Sequence, residues 1–253
     1  MNYRHTVVRK ALADMCVDVA AKVGPEAVAQ HMSDLVMKCL EDEEPCVKLR
    51  VLLKVKVLAG DVPSLLNRLT PTLKRLFKDN SWRVRRQMCL SMPPVMKSLG
   101  TDFFVDNFLD DFLAALKDSV AEVRLSAGGC LADLCMSSSS SWVYDRVFPS
   151  IKSMAGEECI YRLGMLHALR TLLGADLTER FQGEVVGLVL AAASDVVANV
   201  RLAAAVILGE ACRKITGANS SAVIAQIRPV LSELEGDKDK DVKYFAHEAL
   251  QQC

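Results

Sequence analysis

Apolar residues recur at three- and four-residue spacing along most of this chain, and runs of β-branched and aromatic residues in strict alternation are absent. Segments 69–79, 108–118 and 224–234 show this spacing, which places their apolar side chains on one face of a helix. Prolines such as Pro71, Pro149 and Pro229 lie near the front of such segments, where a missing N–H costs least. The pattern predicts an all-α protein made of amphipathic helices.

A short motif recurs between pairs of such segments: an aspartate, followed six residues later by a basic residue with valine just before it. The full copies read DEEPCVK, DNSWRVR, DSVAEVR, DVVANVR and DKDKDVK; a weaker copy has Gly156 in place of the aspartate, and an incomplete one ends at Arg9. The basic residues stand at positions 9, 48, 85, 124, 162, 201 and 243, so the intervals are 39, 37, 39, 38, 39 and 42 residues. Self-similarity at a period near 40 residues is typical of a solenoid of helix pairs. We therefore expect a single domain over residues 1–253, an α-solenoid that winds into a superhelix of about seven antiparallel helix pairs, the first of them incomplete.

Each position of the motif has an expected role. The aspartate begins a turn, where its carboxylate can accept backbone N–H groups and complement the dipole of the next helix. The valine is expected in the core, while the basic side chain keeps its charged end near the surface and reaches the aspartate of a neighbouring turn. Exposed ion pairs contribute only about 0–1 kcal/mol each, so cohesion must come mainly from apolar burial at ~25 cal/mol per Å². Pro93 and Pro94 are expected to interrupt and kink the helix that follows the DNSWRVR copy.

Composition argues against several classes of protein. The formal charges cancel, 31 basic against 31 acidic residues, which argues against nucleic-acid binding and against a polybasic membrane surface. The most apolar segment, 184–212, contains Asp195, Asn199 and Arg201 and so cannot span a bilayer, and the first twenty residues do not form a secretory signal. The nine cysteines lie mostly in apolar helical stretches, so we expect reduced, buried thiols in an intracellular protein.

Candidate chemistry is sparse. His247 and Glu248 form the one His-Glu pair, and a single pair cannot build a two-metal site, so His247 is expected on a helix surface. Cys130 and Cys135 lie five residues apart without a histidine partner, which does not indicate a zinc site. Neither a glycine-rich phosphate loop nor a Ser-His-Asp arrangement is supported. We expect no catalysis, no metal and no cofactor.

The order of helix, Asp-led turn, Val-Arg and second helix resembles the HEAT repeat. An ordered set of landmarks is further similar to the scaffolding A subunit family of protein phosphatase 2A: WRVR, GTDFFVDN, VANVR and finally DKDVKYFAHEAL. The resemblance covers essentially the whole chain and relates it to the last seven of the family's fifteen repeats. Gly156, where a turn aspartate belongs, and the end at Cys253, slightly short of the family pattern, depart from it.

The resemblance implies a non-catalytic regulatory subunit that holds the phosphatase catalytic subunit along the ridge formed by its intra-repeat turns. A regulatory B-type subunit is a further implied partner, although most of its site would lie outside this chain. The implied location is the cytoplasm, with the nucleus as a second compartment.

By the same resemblance, the residues that contact the catalytic subunit lie on five successive turns. Trp82 and Arg83 match contact residues of the family, and tryptophan and arginine are also the side chains that most often dominate an interface. The other implied contact positions follow along the ridge: Ser119, Val120, Ala121, Glu122, Cys159, Ile160, Tyr161, Val197, Ala198, Asn199, Asp239 and Lys240.

Two alternatives stay open. Trp82 could instead cover the end of its own helix pair. The chain could also be another scaffold of HEAT or armadillo type, such as a transport-adaptor fragment that binds extended peptides.

The first helical stretch raises a separate expectation. Between Tyr3 and Val23 the apolar residues form more than one stripe, so a stacked partner is expected on both sides although the pattern supplies only one. We expect either self-association through this end or a chain cut from a longer scaffold.

Overall fold

The computed structural model describes residues 5–23, 27, 31–61, 63–215 and 220–253. Over these residues the protein contains helices and turns but no strand, which confirms the predicted all-α solenoid. None of the helices in these ranges is both long enough and apolar enough to cross a membrane. The chain divides into two compact units, Met1–Cys130 (unit 1) and Leu131–Cys253 (unit 2), and the expectation of a single domain stays a prediction.

Unit 1 is built of two rows of helices. The helices that follow the motif copies stack on one another in chain order, and those that precede the copies flank this row, so the core lies between the rows. The described helices are α1 (Thr6–Val23), α2 (Ser33–Leu40), α3 (Pro45–Leu52), α4 (Val55–Asp61), α5 (Pro63–Leu76), α6 (Trp82–Leu99), α7 (Thr101–Asn107), α8 (Leu109–Ala115) and α9 (Ala121–Gly129). The first row contains α1, α3 with α4, α6 and α9, and the flanking row contains α2, α5 and α8.

Unit 2 repeats this arrangement. Its described helices are α10 (Leu131–Ser137), α11 (Ser140–Arg146), α12 (Phe148–Ser153), α13 (Cys159–Leu172), α14 (Glu179–Ala192), α15 (Ala198–Lys214), α16 (Ser220–Leu234) and α17 (Lys240–Leu250), with a 3₁₀ turn at Met154–Gly156. Here α10, α13, α15 and α17 stack in order, while α12, α14 and α16 each pack against the helix that follows them.

The motif valines form the centre of each helix layer. All five valines of the full copies are fully buried, namely Val47, Val84, Val123, Val200 and Val242. Val8, in the incomplete first copy, is 43% exposed. The described part of the chain has no helix before α1 that could cover Val8, and Val7 and Met15 are exposed on the same helix. The apolar residues of α1 therefore lie on more than one face, as predicted; Tyr3 lies outside the described residues.

Two prolines lie deeper in their helices than predicted. Pro71 is inside α5 and Pro229 inside α16, so the prediction that they lie near the helix fronts is wrong for these two. Pro149 does lie in the first turn of α12, as predicted. Pro71 and Pro229 are both exposed, and so are the residues four positions earlier. Water can therefore bond to the carbonyl groups that the prolines leave without an N–H donor.

Helix α6 runs through Pro93 and Pro94 without a break. The predicted interruption is wrong, and the kink stays a prediction. Pro93 has no N–H to donate to the Cys89 carbonyl, and the Cys130 thiol donates to it instead, with the sulfur 3.4 Å from the oxygen. A side chain from the end of α9 thus satisfies a carbonyl that the proline leaves free.

Cys212, near the end of α15, and Cys253, which follows α17, form a disulfide. The expectation of reduced thiols is wrong for this pair. The other seven cysteines form no disulfide, and five of these are buried.

Candidate functional site

The motif aspartate shapes the turn in each of the five full copies. Its carboxylate accepts a hydrogen bond from the backbone N–H two residues later, which forms an Asx turn. The residue before the next helix is left extended, with ψ between 115° and 129°. The O–N distances are 2.9 Å for Asp42 and 2.8 Å for Asp79, Asp118, Asp195 and Asp237. The predicted role of the aspartate in the turn is confirmed.

The motif arginine joins its own turn to the next one. Nη1 of Arg85 donates to the Asp79 carbonyl at 2.8 Å, while Nε and Nη2 donate to the two carboxylate oxygens of Asp118 at 2.7 and 2.9 Å. The planar guanidinium suits this forked contact. We call each pair of a basic residue and the next aspartate a rung.

The rungs recur inside each unit. Unit 1 also contains Arg9–Asp42 and Lys48–Asp79, and unit 2 contains Arg162–Asp195 and Arg201–Asp237; the closest N–O distances are 2.7, 2.5, 2.7 and 2.6 Å in that order. The predicted reach of the basic residue to a neighbouring aspartate is therefore confirmed for these pairs.

The rungs are more buried than predicted. The Arg201 and Asp237 side chains are each 8% exposed, so they do not form the exposed surface pair that the sequence analysis expected. The hydrogen bond from Arg201 lowers the pKa of Asp237 to about 2. At Asp118, burial alone would raise the pKa, but hydrogen bonds from Arg85 and from the Val120 N–H outweigh it, and the pKa is lowered. These carboxylates stay ionised at neutral pH and hold neighbouring turns at a fixed spacing.

In unit 1 the predicted contact residues lie on two neighbouring turns, which the Arg85–Asp118 rung joins. Trp82 is half-buried at the first position of α6. Arg83 is exposed, and its guanidinium lies 4.5 Å from the centroid of the Trp82 ring. On the next turn, Ser119, Ala121 and Glu122 are exposed and Val120 is half-buried.

In unit 2 the predicted contact residues lie on three turns, joined by the two rungs of that unit. Asp239 caps α17 by accepting the N–H groups of Asp241 and Val242 at 2.9 and 3.2 Å. That residues of both units contact one partner stays a prediction. Of the predicted residues, Ile160, Asn199 and Lys240 are exposed, and Cys159, Tyr161, Val197, Ala198 and Asp239 are half-buried.

Val196, which was not among the predicted contact residues, is 86% exposed at the tip of its turn. The matching residues of the other full copies are polar: Glu43, Asn80, Ser119 and Lys238. Alignment of the copies would have revealed an apolar residue at a position that is otherwise polar. Val196 therefore presents an exposed apolar side chain beside Val197 and Asn199.

Among the described residues, no group of three or more His, Cys, Asp or Glu side chains is placed to hold a metal ion. His247 is exposed, as predicted, and its Nδ1 lies 2.7 Å from Oε1 of Glu235.

No protein-family model and no curated protein matches the chain. Solved structures do match its fold. A chain of the Pds5–Scc1 complex has a TM-score of 0.64 at 12% identity, over 89% of this chain and 37% of that one. Cex1p has a TM-score of 0.61 at 13% identity, over 98% of this chain and 44% of Cex1p. A HEAT-like repeats protein from the archaeon Thermococcus onnurineus NA1 has a TM-score of 0.53 at 10% identity, over 100% and 98% of the two chains. At these identities the likeness shows the fold alone, an all-α solenoid of helical repeats.

Proposed function

We propose that the chain is a non-catalytic scaffold that binds the catalytic subunit of protein phosphatase 2A through its interhelical turns and so organises the phosphatase holoenzyme. The observation that carries the proposal is the pair of Trp82 and Arg83. These residues are stacked on each other at the start of α6, on the turn where the family resemblance implies a contact. The proposed location is the cytoplasm, with the nucleus as a second compartment.

The Trp82–Arg83 pair has the chemistry of an interface anchor. Over the described residues, Arg83 makes no ion pair, so its N–H donors are available to carboxylates or carbonyls of a partner. A partner docked on this turn would bury the indole and the guanidinium together. Buried tryptophan and arginine side chains are the commonest hot spots of protein interfaces.

The rungs support the same proposal. Each rung fixes the spacing of two neighbouring turns through largely buried hydrogen bonds. A partner that contacts neighbouring turns of one unit would meet a preformed surface. Preorganisation lowers the entropy cost of binding.

Co-elution of the full chain with purified phosphatase catalytic subunit on size exclusion tests the proposal. Trp82→Ala combined with Arg83→Ala should weaken binding at least ~100-fold and abolish co-elution, because both anchors are lost. Trp142→Ala with Arg146→Ala is the matched control, since it removes the same residue types from α11, away from the interhelical turns that carry the motif. The control should co-elute like the unmodified chain, and both variants should keep their helical circular dichroism. Undiminished co-elution of the Trp82/Arg83 variant would contradict the proposal.

A further inference from the structure

Two cavities of the same construction lie beside rungs, one in each unit. The unit 1 cavity has a volume of about 260 Å³ and lies beside the Lys48–Asp79 rung. The unit 2 cavity has a volume of about 400 Å³ and lies beside the Arg201–Asp237 rung. Counted from the motif aspartates, every residue that lines the first cavity occupies the repeat position of a residue that lines the second. The cavities are therefore two versions of one site, formed between the C-terminal ends of consecutive first helices: α2 and α5 in unit 1, and α14 and α16 in unit 2.

In unit 1 an arginine of the chain itself lies at this site. Nη2 of Arg75 lies 2.5 Å from Oε1 of Glu41 and donates to Oγ1 of Thr72 at 3.0 Å. The Thr72 hydroxyl in turn donates to Glu41 at 3.2 Å. A guanidinium thus bridges the ends of α2 and α5 and occupies part of the space between them.

In unit 2 the three corresponding positions hold Ser194, Val230 and Glu233. Serine, valine and glutamate cannot form the bridge that Glu41, Thr72 and Arg75 form, and the cavity is correspondingly larger. Glu233 is exposed and, within the ranges that the structure describes, has no ion-pair partner.

The unbalanced charge of the unit 2 cavity is negative. The carbonyl groups at a helix C-terminus carry negative partial charge. In unit 1, basic residues in the last turns of α2 and α5 offset it, whereas α14 and α16 have none there. Glu233 adds a full negative charge, while Asp237 is neutralised by Arg201. Lys238 lies beyond the cavity, at the exposed tip of the turn.

We propose that the unit 2 cavity binds an arginine side chain of the protein that docks on the interhelical turns, held by Glu233 and by the carbonyl ends of α14 and α16. Arg75 in unit 1 is the internal precedent, because it places a guanidinium at the matching position. That the arginine belongs to the phosphatase catalytic subunit rests on the proposed function, whereas the preference for a guanidinium rests on the cavity alone.

The first experiment needs no partner protein. The full chain is titrated with N-acetyl-arginine amide, and backbone amide signals of Ser194 and Gly236 are followed by NMR. N-acetyl-citrulline amide is the matched control, since it has nearly the same shape without the charge. We expect saturable shifts with the arginine compound, much smaller shifts with citrulline, and binding weakened at least about fivefold in Glu233→Gln. Equal shifts with both compounds, or an unchanged response in Glu233→Gln, would overturn the proposal.

The second experiment uses the phosphatase catalytic subunit. Ser194→Glu with Glu233→Arg places the glutamate and the arginine of the unit 1 bridge at the matching positions of unit 2, so the chain would put its own guanidinium into the cavity. We expect about tenfold weaker binding of the catalytic subunit, against unchanged thermal unfolding. Binding as tight as that of the unmodified chain would overturn the docked arginine while leaving the proposed function intact. Failure of the unmodified chain to bind would instead contradict the proposed function, and the arginine titration would still decide the preference of the cavity.

Discussion

The Lys48–Asp79 rung of unit 1 and the Arg201–Asp237 rung of unit 2 occupy the same position in their repeats but are held by different hydrogen bonds. Lys48 reaches its aspartate through a single ammonium nitrogen at 2.5 Å. Arg201 reaches Asp237 through two nitrogens, at 2.6 and 2.8 Å, and holds the Asp195 carbonyl with a third at 2.7 Å. The Asx turns at Asp79 and Asp237 are alike. The aspartate of the motif therefore sets the backbone conformation of the turn. The basic residue determines how many hydrogen bonds hold that turn to its neighbours.

The largest difference in stability between the two rungs is expected when the aspartate carboxylate is removed from each. Asp237→Ala leaves a largely buried guanidinium without its carboxylate and should lower the free energy of unfolding by about 2–3 kcal/mol. Both variants also lose the Asx hydrogen bond, but Asp79→Ala removes only one contact to the basic residue and should cost about 1 kcal/mol. Urea denaturation measures both values. Asp→Asn at each position is the control, because asparagine keeps the Asx acceptor without the charge; equal costs for the two alanine variants would contradict the account.

The buried and exposed motif valines give the next largest difference. Val84→Ala empties a fully buried position and should cost about 2 kcal/mol. Val8→Ala changes a side chain that is 43% exposed and should cost less than about 1 kcal/mol. Thermal unfolding of the two variants checks this order, and a larger loss at Val8 would show that another surface covers α1 in solution.

The stabilisation from the Arg201–Asp237 rung should depend on pH. An unfolded aspartate has a pKa of about 3.9, and that of Asp237 is lowered to about 2 by Arg201. Because the folded pKa is the lower one, the stabilisation is complete above about pH 4 and is lost as the pH falls towards 2. Urea denaturation at a series of pH values should show a smaller loss below about pH 4 in Asp237→Asn than in the unmodified chain. Parallel curves would contradict the assignment.

The smallest effect on stability is expected from exchanging the cavity residues. Glu41→Ser with Arg75→Glu gives unit 1 the serine and the glutamate of the unit 2 cavity, while Thr72 is kept. The exchanged side chains are 44% and 65% exposed, so the free energy of unfolding should change by less than about 0.5 kcal/mol. The variant should nevertheless gain a response to N-acetyl-arginine amide at Thr72. Absence of that response would show that the matching positions do not carry the same binding chemistry.

The sequence predicted those features that recur in every repeat. A pattern that recurs several times along the chain predicts four features: the repeat period, the turn aspartate, the buried valine and the contact of the basic residue with a neighbouring aspartate. Features that occur once were harder to predict. Pro71 and Pro229 suggested helix starts, because the sequence does not show that their freed carbonyls face water.

In the candidate site, too, features of the repeated motif could be predicted from the sequence and other features could not. The positions of Trp82 and Arg83 on a turn could be read from the motif, and their partial exposure follows from it. The two cavities could not be found in this way, since their walls come from residues of two consecutive repeats, as Glu41 and Arg75 do. The Cys212–Cys253 pair was missed because 41 residues separate its members and the spacing alone does not indicate contact.

Hydrogen exchange of the full chain, alone and with the phosphatase catalytic subunit bound, tests the central claim most directly. We predict new protection at the start of the second helices, with little change at the opposite helix ends. The protected residues should be 82–85, 119–122, 159–162, 197–200 and 239–242. Protection confined to those opposite ends, with the turns unchanged, would contradict the central claim.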